Sequence, residues 1–243
     1  MLEKNEFLKT SKEFAYRIRN CRNSAIHLGG TLVLGETVLG NPIIIDSRHF
    51  NSLKLLYLPP SQEIAIMSYL FHFIKPGMQC LDFGAGTGYY SLVLAKLSGI
   101  NGIVWSFENE MNCYQLLKRN IQLNAFAQIC SHAQLLNIDS YLENKKINFD
   151  FIHIFSEAPL PDTFAAMQQT IKMNRSLHLL CHICPRQLES SPDSYDHFFQ
   201  SLSSDGFEGY LFPNLNRLES KAQLTKDLSL KSLLLCRGSL WIN

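Results

Sequence analysis

Apolar residues recur along this chain in two rhythms, and the alternation between them predicts its architecture. Near the start, Phe7, Leu8, Phe14, Ala15 and Ile18 fall at helical spacing among charges, which predicts an amphipathic helix over 4–20 that packs on the core or on a second subunit. Residues 31–34 and 42–46 are β-rich and broken by Gly35 and Gly40-Asn41, the pattern of a short antiparallel flap ahead of the main sheet. After Pro59-Pro60, Ser61 opens a helix with Ile64, Ala65, Met67, Leu70, Phe71 and Ile74 on one side, which Lys75-Pro76-Gly77 ends. Beyond it, short apolar runs at 80–83, 103–107, within 127–136, at 150–155 and at 177–183 read as buried parallel strands. Helical patterns ending near 97 and covering 111–124, 139–142, 161–173 and 195–202 alternate with them, and 209–212 and 231–236 close the sheet as an antiparallel pair. This is an α/β chain with a Rossmann-like, doubly wound sheet, mostly parallel with an antiparallel C-terminal strand. Residues 1–58 form an extension and 59–243 the main domain.

One junction carries chemistry. The run Cys80-Leu-Asp-Phe83 enters Gly84-Ala-Gly-Thr-Gly88, and the apolar segment 91–97 leaves it, so a strand, a tight turn and a helix start meet there. The glycines let the turn adopt positive φ and let a ligand approach the backbone closely. Glu108 follows 20 residues after Gly88 at the end of the next strand, where a carboxylate can hold the hydroxyls of a ribose. A dinucleotide turn reads G-x-G-x-x-G and seats a pyrophosphate, whereas here the glycines fall at Gly84, Gly86 and Gly88 with Asp82 just before them. An acidic group there repels a pyrophosphate and suits the cationic amino-acid end of S-adenosylmethionine. The pattern resembles motif I of the class I S-adenosylmethionine-dependent methyltransferases.

Composition narrows the context. At 46% hydrophobic and 18% charged residues the chain is ordinary globular protein, and a net charge of +1 provides no electrostatic footprint for nucleic acid or an anionic membrane. No apolar run approaches the roughly 20 residues of a membrane span, and the first residues lack the order of a secretory signal, so a cytoplasmic protein is expected. The seven cysteines are odd in number and scattered, which reads as buried thiols, Cys181-His-Ile-Cys184 included.

Between Pro42 and Arg237 the residues resemble one branch of the superfamily, the FkbM-type methyltransferases. The resemblance rests on Leu81-Asp-Phe-Gly-Ala-Gly-Thr-Gly-Tyr-Tyr-Ser91, Trp105-Ser-Phe-Glu108, Leu116-Leu-Lys-Arg-Asn-Ile-Gln-Leu-Asn124 and Ile138-Asp-Ser-Tyr-Leu142. It implies O-methylation of a hydroxyl on a small molecule or saccharide. It also implies a cofactor loop shaped by Asp82, Gly84, Gly86 and Gly88, with Glu108 holding the ribose; Ala85, Tyr89, Asn109 and Asp139 lie in the same segments and complete the candidate cofactor residues. Where the family reads I-D-F-I-K-I-D-x-E-G, this chain has Phe149-Asp-Phe-Ile-His-Ile-Phe-Ser-Glu157, so His153 and Phe155 replace the lysine and aspartate, Ala158 replaces the glycine, and Glu157 remains.

Methylating an alcohol calls for a general base near the end of this fourth strand, and Glu157 is the first candidate, His153 the second. His153 and Phe155 share a strand face, and an interior histidine packed against a helix is the plain alternative for the former. His178, His182 and Cys184 lie along one strand face over too great a length to share an ion, so no metal is expected. The loop 156–161 lacks the N/D-P-P-aromatic pattern of a nucleobase aminomethyltransferase, which with the neutral charge argues against nucleic acid as partner. There is also no G-x-S-x-G elbow. The altered fourth strand keeps a second reading open, a methyltransferase-fold binding module without transfer activity; the amphipathic start permits a homodimer.

Overall fold

The computed structural model describes residues 25–49, 61–133, 137–143, 147–174, 176–183, 192–219, 222–225 and 230–237, together with the single positions 9, 12, 53, 55, 56, 145, 187 and 240. The chain opens, within these residues, on three strands, β1 (Ile26–Gly29), β2 (Leu32–Glu36) and β3 (Pro42–Asp46), paired antiparallel in that order. The expected hairpin thus gains a third strand at its outer edge; of the helix expected over 4–20 only Lys9 and Lys12 are described, both helical, and the rest lies outside the described residues.

The main sheet has eight strands. Helix α1 (Ser61–Phe73) leads into β4 (Gln79–Phe83), α2 (Tyr89–Ser98), β5 (Ile103–Glu108), α3 (Met111–Leu123), β6 (Ile129–Ala133) and α4 (Ile138–Leu142). Then follow β7 (Phe151–Phe155), α5 (Leu160–Ala165), α6 (Gln168–Met173), β8 (His178–Ile183), α7 (Pro192–Ser204), β9 (Phe207–Leu211), β10 (Asn216–Arg217), α8 (Ala222–Thr225) and β11 (Lys231–Arg237). In space the order is β10-β9-β11-β8-β7-β4-β5-β6. β4 to β8 run parallel, and β11 enters antiparallel between β8 and β9. The chain winds outward from β4 to β6, returns, and winds the other way from β7, so its direction switches between β4 and β7; that is where an open α/β sheet forms a ligand crevice at its strand ends.

The pleat sends neighbouring residues of the buried strands into separate cores. On one face Cys80, Val104, Leu180 and Leu234 pack with Ile66 and Leu70 of α1 and Leu92 of α2. On the other, Leu81, Ile152, Leu179 and Cys181 pack with Phe164, Met167 and Tyr195. The single helix expected over 161–173 is two, because Asp139 directs its carboxylate to Gln169 N (2.7 Å), Thr170 N (2.8 Å) and Thr170 Oγ1 (2.7 Å), capping a new helix start at α6. The small sheet is tied to α3 by two asparagines. Asn120 accepts from Ile44 N (2.7 Å) and donates to Ile44 O and to Thr87 O in the glycine turn (both 2.8 Å). Asn124 donates to Pro42 O at 2.7 Å.

Candidate active site

The crevice holds a cavity of about 620 Å³, walled by the glycine turn after β4, the ends of β7 and β8, the first turn of α1 and the Phe212-Pro213 corner. The turn is drawn tight because Gly84 N and Ala85 N both donate to Phe107 O, at 2.9 and 3.0 Å. Gly84 (φ +79°) lies so close to β7 that a Cβ there would sit 1.7 Å from Phe155 O. A Cβ on Gly86 (φ +55°) would meet nothing within 4 Å and Gly86 lines the cavity, so this glycine leaves room for a ligand. Glu108 closes the turn from behind, accepting from Gly86 N at 2.6 Å and from Glu110 N at 2.7 Å. Ala85 and Tyr89 line the cavity, whereas Asn109 is exposed on the far side of Glu108 in sequence.

Asp82 is placed differently from its expected role. It is fully buried, is not among the residues walling the cavity, and has both oxygens engaged: Oδ2 accepts from Ser91 Oγ (2.5 Å) and Oδ1 from His153 Nδ1 (2.7 Å). Ser106 Oγ in turn donates to Ser91 Oγ at 2.9 Å, so the carboxylate sits at the end of a buried hydroxyl chain. An ionised carboxylate only accepts, so His153 donates from Nδ1 and a neutral ring keeps its lone pair at Nε2. His153 is buried, stacks on Tyr90 with ring centroids 3.9 Å apart, and its Nε2 has no hydrogen-bond partner although the ring lines the cavity.

A second imidazole faces the same space. His182 Nδ1 meets Ser232 Oγ at 3.0 Å, and its Nε2 also lacks a partner. The buried Ser232 hydroxyl has no other hydrogen bond among the described residues, so it donates to Nδ1 and leaves His182 protonated at Nε2. Burial holds the His182 imidazole well below its usual range, so this ring is neutral at pH 7. The two rings meet edge to face at 5.1 Å. With the His153 ring neutral, one cavity wall presents a nitrogen lone pair beside a nitrogen donor.

The carboxylate that does face the cavity is Glu63, in the first turn of α1, where it accepts from Tyr90 Oη at 2.5 Å. Burial raises its carboxyl above the ordinary range, opposed by the Tyr90 hydrogen bond. Sequence reading passed over it, because one acidic residue early in an amphipathic helix looks like ordinary dipole-compensating charge. Glu157 is exposed and absent from the described cavity wall; its carbonyl accepts from Gln187 Nε2 at 2.9 Å. Asp139 is spent on capping α6, as described above. Of the two residues put forward as base, the structure brings His153 to the cavity and leaves Glu157 outside it.

Comparison with known proteins agrees with this architecture. Residues 59–154, from α1 through β7, match the family model described as Protein-L-isoaspartate(D-aspartate) O-methyltransferase (PCMT). M. jannaschii TYW2, solved in complex with AdoMet, superposes with a TM-score of 0.54 at 13% identity over 87% of each chain. The fold is that of the class I methyltransferases. Among curated methyltransferases, the Caenorhabditis elegans protein-L-isoaspartate O-methyltransferase is 30% identical over 70 residues, 29% of this chain and 31% of that protein. The Yarrowia lipolytica tRNA (adenine(58)-N(1))-methyltransferase catalytic subunit is 24% identical over 165 residues, 65% of this chain and 41% of its own length. The chain thus spans well under half the length of these curated relatives. Among the described residues no helix is long and apolar enough to cross a membrane.

Proposed function

We propose that this chain is an S-adenosylmethionine-dependent methyltransferase whose acceptor is a hydroxyl group on a small molecule or saccharide. The residues present suit that cofactor: a glycine turn open to a ligand at Gly86 and a buried carboxylate at Glu63 on the cavity wall; Glu108, which is not among the residues walling the cavity and has both oxygens bonded to Gly86 N and Glu110 N, acts by holding that turn in shape. Bound there, the cofactor would supply a methyl group carried on a sulfonium.

The observation that carries the acceptor is the pair of partnerless nitrogens. A hydroxyl both donates and accepts, so one acceptor oxygen satisfies both, giving its proton toward His153 Nε2 and receiving the His182 Nε2 proton. Asp82 fixes the His153 tautomer and stabilises the ring once it carries the proton, the role a buried carboxylate plays behind any catalytic imidazole. Phe155 and Phe212 line the same cavity and give it apolar surface beside the two imidazoles. In the FkbM pattern these duties would fall to the lysine and aspartate that His153 and Phe155 replace.

The matched family model favours a second reading, methylation of a protein carboxylate. An ionised carboxylate has no proton to surrender and would leave the His153 lone pair facing another acceptor. Chemistry separates the two. Labelled S-adenosylmethionine would be offered to separate pools of alcohols and saccharides and of isoaspartyl peptides, and the products treated with mild base. Label that survives as an ether and vanishes in His153→Gln supports the hydroxyl reading. Label released as methanol supports the carboxylate. Cofactor binding with no transfer from any pool would support a binding module.

A further inference from the structure

We propose that the Glu63 carboxylate is the receptor for an organic ammonium group that enters the cavity. Glu63 is 6% exposed, lines the cavity, and among the described residues no lysine or arginine pairs with it; its one hydrogen bond comes from Tyr90 Oη. A buried carboxylate without a counter-ion is costly, and the start of α1 offsets only part of that cost. Of the two imidazoles on the same cavity wall, His153 is bonded to Asp82 and His182 is held neutral by burial. A ligand cation completes the pair. Asp82, the carboxylate whose sequence position suggests this task, has both oxygens occupied and does not reach the cavity wall.

Two sources offer this group. One is the amino-acid end of S-adenosylmethionine, and that version rests on the cofactor reading above; the other is an amine on the methyl acceptor, which does not. Calorimetric titration of the full chain and of Glu63→Gln with S-adenosylhomocysteine, and with 5′-methylthioadenosine, which lacks the amino-acid end, separates them. The cofactor source predicts that Glu63→Gln weakens S-adenosylhomocysteine by about tenfold or more while 5′-methylthioadenosine is unchanged, and that Glu63→Asp restores part of the loss. The acceptor source predicts unchanged S-adenosylhomocysteine but loss of n-butylammonium binding in Glu63→Gln, with n-butanol as the neutral control. Equal affinity of wild type and Glu63→Gln for both S-adenosylhomocysteine and n-butylammonium overturns the proposal. Failure of the wild type to bind S-adenosylhomocysteine would overturn the cofactor reading instead, and the n-butylammonium titration would still decide Glu63. Because Glu63→Gln keeps the shape of the side chain and an oxygen to accept from Tyr90 Oη, its melting temperature should hold, so a binding loss is not unfolding.

Discussion

Gly84 and Gly86 lie two residues apart in one turn, and substituting alanine in each should produce opposite defects. At Gly84 the new methyl would lie 1.7 Å from Phe155 O, where carbon and carbonyl oxygen ordinarily stand about 3.3 Å apart, so turn and strand must separate by roughly 1.6 Å. The turn cannot drift freely, because Gly84 N and Ala85 N are bonded to Phe107 O. Positive φ costs an alanine about 1 kcal/mol and weakening those two hydrogen bonds about 1 kcal/mol each, so the loss is roughly 3 kcal/mol. For a chain of this size that corresponds to a fall in melting temperature of roughly 6–12 °C by calorimetry. Gly86→Ala meets open space and carries only the backbone cost of about 1 kcal/mol, or about 2–4 °C, yet its methyl projects where Gly86 lines the cavity. It should therefore lose S-adenosylhomocysteine affinity out of proportion to its stability. The reasoning is refuted if the two variants melt together, or if Gly86→Ala binds like wild type.

Asn120→Ala should lower stability by roughly 2–4 kcal/mol in urea unfolding, since it strips partners from Ile44 N, Ile44 O and Thr87 O at once. Burial lowers the His178 imidazole from 6.5 to about 4, so the native state resists protonation; stability is full above pH 6.5 and declines as pH falls toward 4, by at most roughly 3 kcal/mol. His178→Leu should flatten that stretch of the stability profile, and a slope unchanged in the variant would assign it to another group. Nitrogen-15 spectra of the histidine side chains should show His153 protonated at Nδ1 and His182 at Nε2 in wild type; Asp82→Asn should erase the His153 preference, and an unaltered tautomer would refute the dyad.

The parallel strands were legible because their apolar runs are buried on both faces, and the glycine turn because its spacing has a backbone cause. What the sequence hid was side-chain reach. Asp82 reads as a ligand-facing acid from its position in the turn, but β4 points it under the turn, where Ser91 and His153 take both oxygens. Glu157 survives in the FkbM-like segment yet follows the end of β7 onto an exposed loop, while His153, two residues inside the strand, is carried to the cavity floor. Glu63 and His182 enter the same cavity from α1 and β8, about 120 residues apart in sequence, a meeting that follows from strand order and not from local pattern.

Asn120 also makes the small sheet a reporter on the turn. One amide side chain binds both the backbone of Ile44 and the carbonyl of Thr87, so loosening either end loosens the other. Hydrogen exchange at the Ile44 amide, on a strand outside the cavity, should slow when a ligand steadies the turn. The three-stranded sheet would then work as a built-in gauge of occupancy, and trimming the chain back to its Rossmann-like core would discard a brace of the glycine turn.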